Sequence, residues 1–148
     1  MKIAQLLASL GPVGYLNGSG TVATLLALPV VYALNMWCEP WVYVVVVGVI
    51  TVAACLVVNN VVPRFEVNDP SHIVIDEVVG CLITFLFVPI TWQSLMIGAV
   101  LFRFFDISKW FGIKYFERLQ GAWGVMLDDI AAGVLSNLML RVILATLF

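Results

Sequence analysis

Residues 125–133 read VMLDDIAAG: three apolar residues, two adjacent aspartates, then small apolar residues running into a hydrophobic tail. A carboxylate at the centre of a membrane helix costs about 2.5–3.5 kcal/mol on the insertion scale, and two neighbours also repel each other. Either this pair lies away from the bilayer centre or a positive partner offsets it. The fold follows from deciding where along a span the pair sits.

The rest of the chain fixes the solvent. Its 148 residues are 63% hydrophobic and 11% charged, with a mean hydropathy of +1.09. Soluble domains run at about 45–50% apolar and about 25% charged, so this composition belongs to an integral membrane protein. A net charge of −2 argues against a nucleic-acid partner, which would favour a basic face. Cys38, Cys55 and Cys81 are odd in number, widely spaced and set among apolar residues, and read as small hydrophobes. Gly11, Pro12 and Gly14 break the first apolar run, which shows no cleavage motif, so a removed signal peptide is not expected.

Four stretches carry nearly all the apolar residues: Gly20 to Trp37, Trp41 to Val62, Ile73 to Phe105 and Val125 to Leu147. The third is too long for one crossing and holds Pro89-Ile90-Thr91-Trp92-Gln93 near its middle. It divides into two short helices, Ile73–Val88 and Trp92–Phe105, each below the ~20 residues of a standard span. The expectation is an all-α polytopic bundle of five transmembrane helices, forming one domain over residues 1–148, with WFGIKYFERL (110–119) at the interface.

Followed along that count, Asp76 and Glu77, Arg103 and Asp106, and Asp128 and Asp129 all fall at one membrane face, with only Glu39 in an opposite loop. Lys2, Arg64, Arg103, Lys109, Lys114 and Arg118 fall on that face too, and only Arg141 lies toward the other. The positive-inside rule makes it the cytoplasmic face. The twin aspartates therefore belong at the edge of the bilayer.

They also have an echo. IVIDEVVG (73–80) repeats the pattern of three apolar residues, an acidic pair and a following glycine, and Gly80 and Gly133 are small enough to let two helices approach closely. Between the two lies FRFFDISK (102–109), which spaces Arg103, Asp106 and Lys109 three apart along one helix face. Arg103 with Asp106 reads equally as a structural ion pair. The whole set does not, because five carboxylates against two cations leave negative charge uncompensated. A hard divalent cation such as magnesium offsets it, and a cation beside basic side chains suits phosphoryl transfer or hydrolysis of a lipid phosphate.

Two weaker signals accompany this set. GPVGYLNGSGT (11–21) is a Gly-rich stretch ahead of a helix and reads first as a turn, second as a phosphate-binding backbone. In NDPSH (68–72), Asp69-Pro70-Ser71 reads as a helix start, and His72, the only histidine, is a candidate for touching phosphate.

DPSHIVIDEVVG (69–80), FRFFDISKWF (102–111) and GVMLDDIAAG (124–133), in this order with SGTVATL (19–25) ahead, resemble the phosphatidylglycerophosphatase A family over nearly the whole chain. The resemblance implies a magnesium-dependent phosphatase of the bacterial inner membrane, with its active site facing the cytoplasm. Such an enzyme removes the terminal phosphate of phosphatidylglycerophosphate to leave phosphatidylglycerol. Carried over by position, Asp76, Glu77, Asp128 and Asp129 are the metal ligands, and Asp76, Asp106 and Asp129 the catalytic carboxylates. Asp106 either completes the metal site or takes a proton from the attacking water. Arg103 and Lys109 bind phosphate, helped by Gly20, Thr21 and His72. The chain departs from the family pattern at Ser19, His72, Trp110, Glu117 and Ala122, none of them a core carboxylate.

Three rival readings remain at this stage: a phosphatase or transferase for another lipid phosphate, a small ion-coupled transporter, and a purely structural membrane subunit. Charges gathered at one face count against conduction, and a structural role leaves both acidic pairs unexplained.

Overall fold

A computed structural model of the chain describes residues 2–62, 72–116, 119 and 121–147, together with their side chains except those of Lys2 and Lys114. The helix start expected at Asp69-Pro70-Ser71, and Arg64, Glu117 and Arg118, lie outside the described residues. What is described is helical throughout, in the order α1 (Lys2–Ala8), a 3-10 turn (Val13–Tyr15), α2 (Ser19–Trp37), α3 (Pro40–Val61), α4 (Ile75–Thr84), α5 (Trp92–Ser108), α6 (Ile113–Phe116) and α7 (Ala122–Leu147).

Local chemistry explains most of the boundaries. α2 gives way at Cys38 to extended chain, and Pro40 opens α3 at a position where its missing N–H costs nothing. A capping box starts α5: Thr91 Oγ1 accepts from the Ser94 N–H at 3.1 Å, and Ser94 Oγ accepts from the Thr91 N–H at 2.8 Å. Within the long helices, polar side chains bond their own backbone one turn back. Thr24 donates to Gly20 O, Thr51 to Val47 O and Ser136 to Ala132 O, which removes unsatisfied hydroxyls from an apolar solvent.

α2, α3 and α7 are long and apolar enough to cross a membrane. Their outward faces carry large exposed apolar side chains such as Leu25, Leu26, Val45, Val49, Leu138 and Val142. Such surfaces suit contact with lipid. Exposed Trp37, Trp41 and Trp92 mark one end of the bundle, and Trp110, Phe111, Tyr115 and Trp123 follow the expected interfacial stretch at the other.

The expected helix Ile73–Val88 is shorter than its apolar run. α4 covers only Ile75–Thr84, ten residues, and α5 covers 17, so neither has the length of a standard span, and among the described residues three helices meet it. The cause lies partly in Phe87, which takes a left-handed φ of 56°, and in Pro89, which disfavours helix before it. Other helices then satisfy the carbonyls freed by the break. Asn137 Nδ2 of α7 donates to Thr84 O at 2.8 Å and Leu86 O at 2.9 Å, and Arg141 Nη2 donates to Leu86 O at 2.8 Å. Arg141, the basic residue expected toward the opposite face, thus caps a broken helix. Tyr43 of α3 adds a 2.9 Å bond to Leu82 O.

α4 is the centre of the bundle. Val79, Gly80, Cys81, Leu82, Ile83 and Thr84 are all buried, and α7 packs along it. The glycine pairing expected from sequence is present: a side chain at Gly133 would strike the Gly80 carbonyl, and one at Gly80 would come within 2.7 Å of Asp129 O. These two glycines bring the acidic pairs of α4 and α7 together.

Candidate active site

Both acidic pairs share a local geometry. The Asp76 carboxylate accepts from the Glu77 N–H at 3.0 Å, and the Asp128 carboxylate accepts from the Asp129 N–H at the same distance. Bonding to the next N–H along the chain fixes the first carboxylate of each pair. Because α4 and α7 meet at Gly80 and Gly133, both pairs open on one cavity of about 280 Å³. Gly18, Ser19 and Gly20 at the start of α2 form one wall, and Arg103, Asp106 and Lys109 at the end of α5 form another.

The cations are threaded between the acids. Arg103 Nη1 donates to Asp106 Oδ2 at 2.5 Å and lies 3.5 Å from Glu77 Oε1. Lys109 Nζ donates to Asp128 Oδ2 at 2.5 Å and to Asp106 Oδ1 at 3.3 Å. The result is an alternating chain, Glu77–Arg103–Asp106–Lys109–Asp128. Lys109 caps α5 with a left-handed φ of 52°, a conformation that glycine adopts freely and that costs other residues on the order of 1–3 kcal/mol. A lysine there brings its ammonium back onto Asp106 and Asp128. Burial works against its charge, but the Asp128 hydrogen bond and the charges of Asp128, Asp106 and Asp129 outweigh that. Lys109 therefore holds its proton well above the ordinary lysine range.

Asp129 lies against Asp106 of this chain. It is 3% exposed, and its carboxylate faces those of Asp76, Asp106 and Asp128. Neither Arg103 nor Lys109 lies within ion-pair distance of it. Among the described residues no three acidic side chains converge as a ready metal cage. The donor set is nevertheless all carboxylate oxygen, the chemistry a hard cation takes, and its most buried member, Asp129, lies beyond ion-pair distance of Arg103 and Lys109.

Of the residues singled out in the sequence, Gly20, Asp76, Glu77, Arg103, Asp106, Lys109, Asp128 and Asp129 line the cavity. A Cβ at Gly20 would meet Glu77 Oε1 and approach Arg103 Nη1 to 2.8 Å, so a side chain there would force the Glu77–Arg103 pair to move. Thr21 and His72 do not join them. Thr21 is exposed on the outside of α2, one residue and about 100° round the helix from Gly20. His72 is also exposed; its Nδ1 lies 3.1 Å from Gly14 O and its ring stacks on Tyr15 at 4.7 Å. It fixes the 3-10 turn ahead of α2. Gly18 and Ser19, from the Gly-rich stretch noted in the sequence, line it too, and Ile73 and Val125 do so without having been singled out. Ile73 and Val125 each stand three residues before the first acid of a pair; within α7 that spacing puts Val125 on the face of Asp128, whereas Ile73 lies in the chain leading into α4.

The profile of the family described as Phosphatidylglycerophosphatase A matches residues 6–144, a range that holds every residue of this cavity. The chain belongs to the phosphatidylglycerophosphatase A family. A phosphatidylglycerophosphatase A of Escherichia coli is 35% identical over 120 residues, covering 79% of this chain and 69% of that protein. One of Haemophilus influenzae is 39% identical over 82 residues, covering 54% and 50%. A Bacteroides thetaiotaomicron protein provisionally named a phosphatidylinositol-3-phosphatase is 45% identical over 78 residues, covering 51% and 49%. The matched stretches span about half the length of these last two relatives. No solved structure matches significantly.

Proposed function

We propose that this chain hydrolyses the terminal phosphate of phosphatidylglycerophosphate, giving phosphatidylglycerol and inorganic phosphate, with magnesium as cofactor, at the cytoplasmic face of a bacterial inner membrane. The observation that carries this reading is the single cavity in which Arg103 and Lys109 stand among five carboxylates, with Asp129 buried and unmatched by a cation. Family membership narrows the phosphate to that of a lipid.

Each residue has a role in that chemistry. Arg103 and Lys109 offer N–H donors to the phosphate oxygens, and Asp106, bonded to both, sets their positions. The start of α2, at Gly18, Ser19 and Gly20, brings the positive end of the helix dipole to the same space. Hydrolysis forms a bond from water oxygen to phosphorus and breaks the bond from phosphorus to the glycerol oxygen. A proton leaves the water, for which Asp106 and Asp129 are the candidate acceptors, and a proton reaches the departing alkoxide. Asp76, Glu77, Asp128 and Asp129 would hold magnesium, which when bound neutralises phosphate charge and acidifies a water.

Another lipid phosphate is the second reading, favoured by the name of the Bacteroides relative. Ion conduction finds no support: outside the cavity cluster, the described charged side chains are Glu39 and Arg141, and Arg141 is engaged in capping Leu86. The test is phosphate release by the purified chain from phosphatidylglycerophosphate and from phosphatidylinositol 3-phosphate, with chelator and with magnesium restored. Release from the first, lost with chelator, is expected. Absence of release from both lipids by folded protein overturns the reading.

A further inference from the structure

α2 and α5 run antiparallel and meet at the site, where Gly20 abuts Arg103. Eight residues beyond Gly20 on α2 is Leu28, and eight residues before Arg103 on α5 is Leu95. Both steps cover about 12 Å of helix axis, so these leucines reach the same level of the bundle. At that level the two helices part around a groove of about 360 Å³ lined by Leu28, Pro29, Tyr32, Trp92, Leu95 and Met96. Leu95 forms a buried floor, while Tyr32, Trp92 and Met96 are exposed at the sides. Pro29 lacks the N–H that would bond Leu25 O, and its ring takes that place in the wall.

We infer that the α2–α5 groove receives an acyl chain of the lipid whose phosphate enters the carboxylate cavity. This rests on the lipid-phosphatase reading above. The pair of helices that frames the groove also frames the phosphate site, so one molecule with a charged head and an apolar tail fills both along a single seam. A larger apolar depression, about 480 Å³ along Val45, Val49, Val52 and Leu56, lies on α3, which contributes nothing to the cavity, and a third, lined by Pro89, Thr91, Gln93 and Leu144, shares no wall with α2. The occupant is thus set by continuity with the head-group site. Apolar lining alone does not select it. Contact with Leu28 and Leu95 rewards a long chain and gives a short one nothing.

Two measurements on the full chain test this. In the first, phosphate release is compared for phosphatidylglycerophosphate with long and with short acyl chains, and the ratio of their kcat/KM values is taken. Leu28→Trp fills the groove and lowers that long-to-short ratio about tenfold, whereas Val49→Trp on α3 leaves it as in the wild type. In the second, wild-type protein in phosphatidylcholine vesicles is irradiated with phosphatidylglycerophosphate bearing a diazirine in one acyl chain. Adducts are expected on residues 28–32 or 92–96, and in greater yield than from phosphatidylcholine carrying the same diazirine. An unchanged ratio in Leu28→Trp, or adducts spread equally over α3, overturns the inference while wild-type hydrolysis keeps the parent reading intact. Wild type that hydrolyses neither lipid overturns both.

Discussion

Lys109 Nζ lies 2.5 Å from Asp128 Oδ2 and 3.3 Å from Asp106 Oδ1, so one ammonium joins the end of α5 to the second turn of α7. Lys109→Met removes the N–H donor proposed to bind phosphate and leaves two carboxylates facing each other. Phosphate release is expected to fall by about 10²–10³, as when a positioned charge donor is lost. Lys109→Arg should recover part of it, because charge returns in a different shape. Steady-state assays on the two variants check this.

The same contact predicts a pH dependence. The folded-state proton affinity of Lys109 is raised, so its stabilising contribution is fully present below the ordinary lysine value of 10.5 and is lost only as pH climbs through the higher folded value. The gap in thermal midpoint between wild type and Lys109→Met should therefore be flat from about pH 7 to about pH 9 and close only in stronger alkali. Differential scanning of both proteins in detergent measures it.

Asp129→Asn keeps the shape of the most enclosed acid and removes its charge. Phosphate release should drop to about one hundredth or less, with magnesium binding weakened in calorimetry of the same sample. Thr21→Val, which changes an exposed residue outside the cavity, should stay within about twofold of wild type.

Gly133→Val tests the seam between α4 and α7. A side chain there meets the Gly80 carbonyl, which is backbone and cannot step aside. Overpacking of this kind costs about 1–3 kcal/mol, and activity should fall with stability because the two acidic pairs are pushed apart. Thermal midpoint and turnover, measured together, report both effects.

Asn137→Leu removes the donor to Thr84 O. Hydrogen bonds between membrane helices average only about 0.6 kcal/mol. Here the acceptor lies at a broken helix end, and the loss belongs nearer the about 1–3 kcal/mol of an orphaned buried group. Arg141 still serves Leu86 O, so the fold should persist with a lowered midpoint.

The acidic residues made the site legible because charge is scarce in this chain, and helix counting sent each pair to the same end. Gly80 and Gly133 were readable for a similar reason, as small residues in matching places beside matching acids. The end of α4 was not. Hydropathy continues unbroken through Phe85, Leu86, Phe87 and Val88, and the backbone leaves the helix there under constraints supplied partly from α7, more than fifty residues away. Thr21 and His72 lie outside the cavity lining for another reason. Nearness in sequence placed them by the cavity, but side-chain direction round a helix and a local stacking partner turned them elsewhere. The count of five carboxylates against two cations was legible too: Arg103 and Lys109 pair with Glu77, Asp106 and Asp128, and neither lies within ion-pair distance of Asp129.

The burial of α4 has a mechanical consequence. A helix of spanning length answers a thicker or thinner bilayer by tilting, because its ends track the two water boundaries. α4 is too short to have such ends and is enclosed by its neighbours, with Asn137 and Arg141 gripping its terminus and Gly133 set against its backbone. Its height is referenced to α7 instead of to the lipid. Asp76 and Asp129 accordingly keep their mutual spacing when membrane thickness changes, and the outer helices absorb the mismatch.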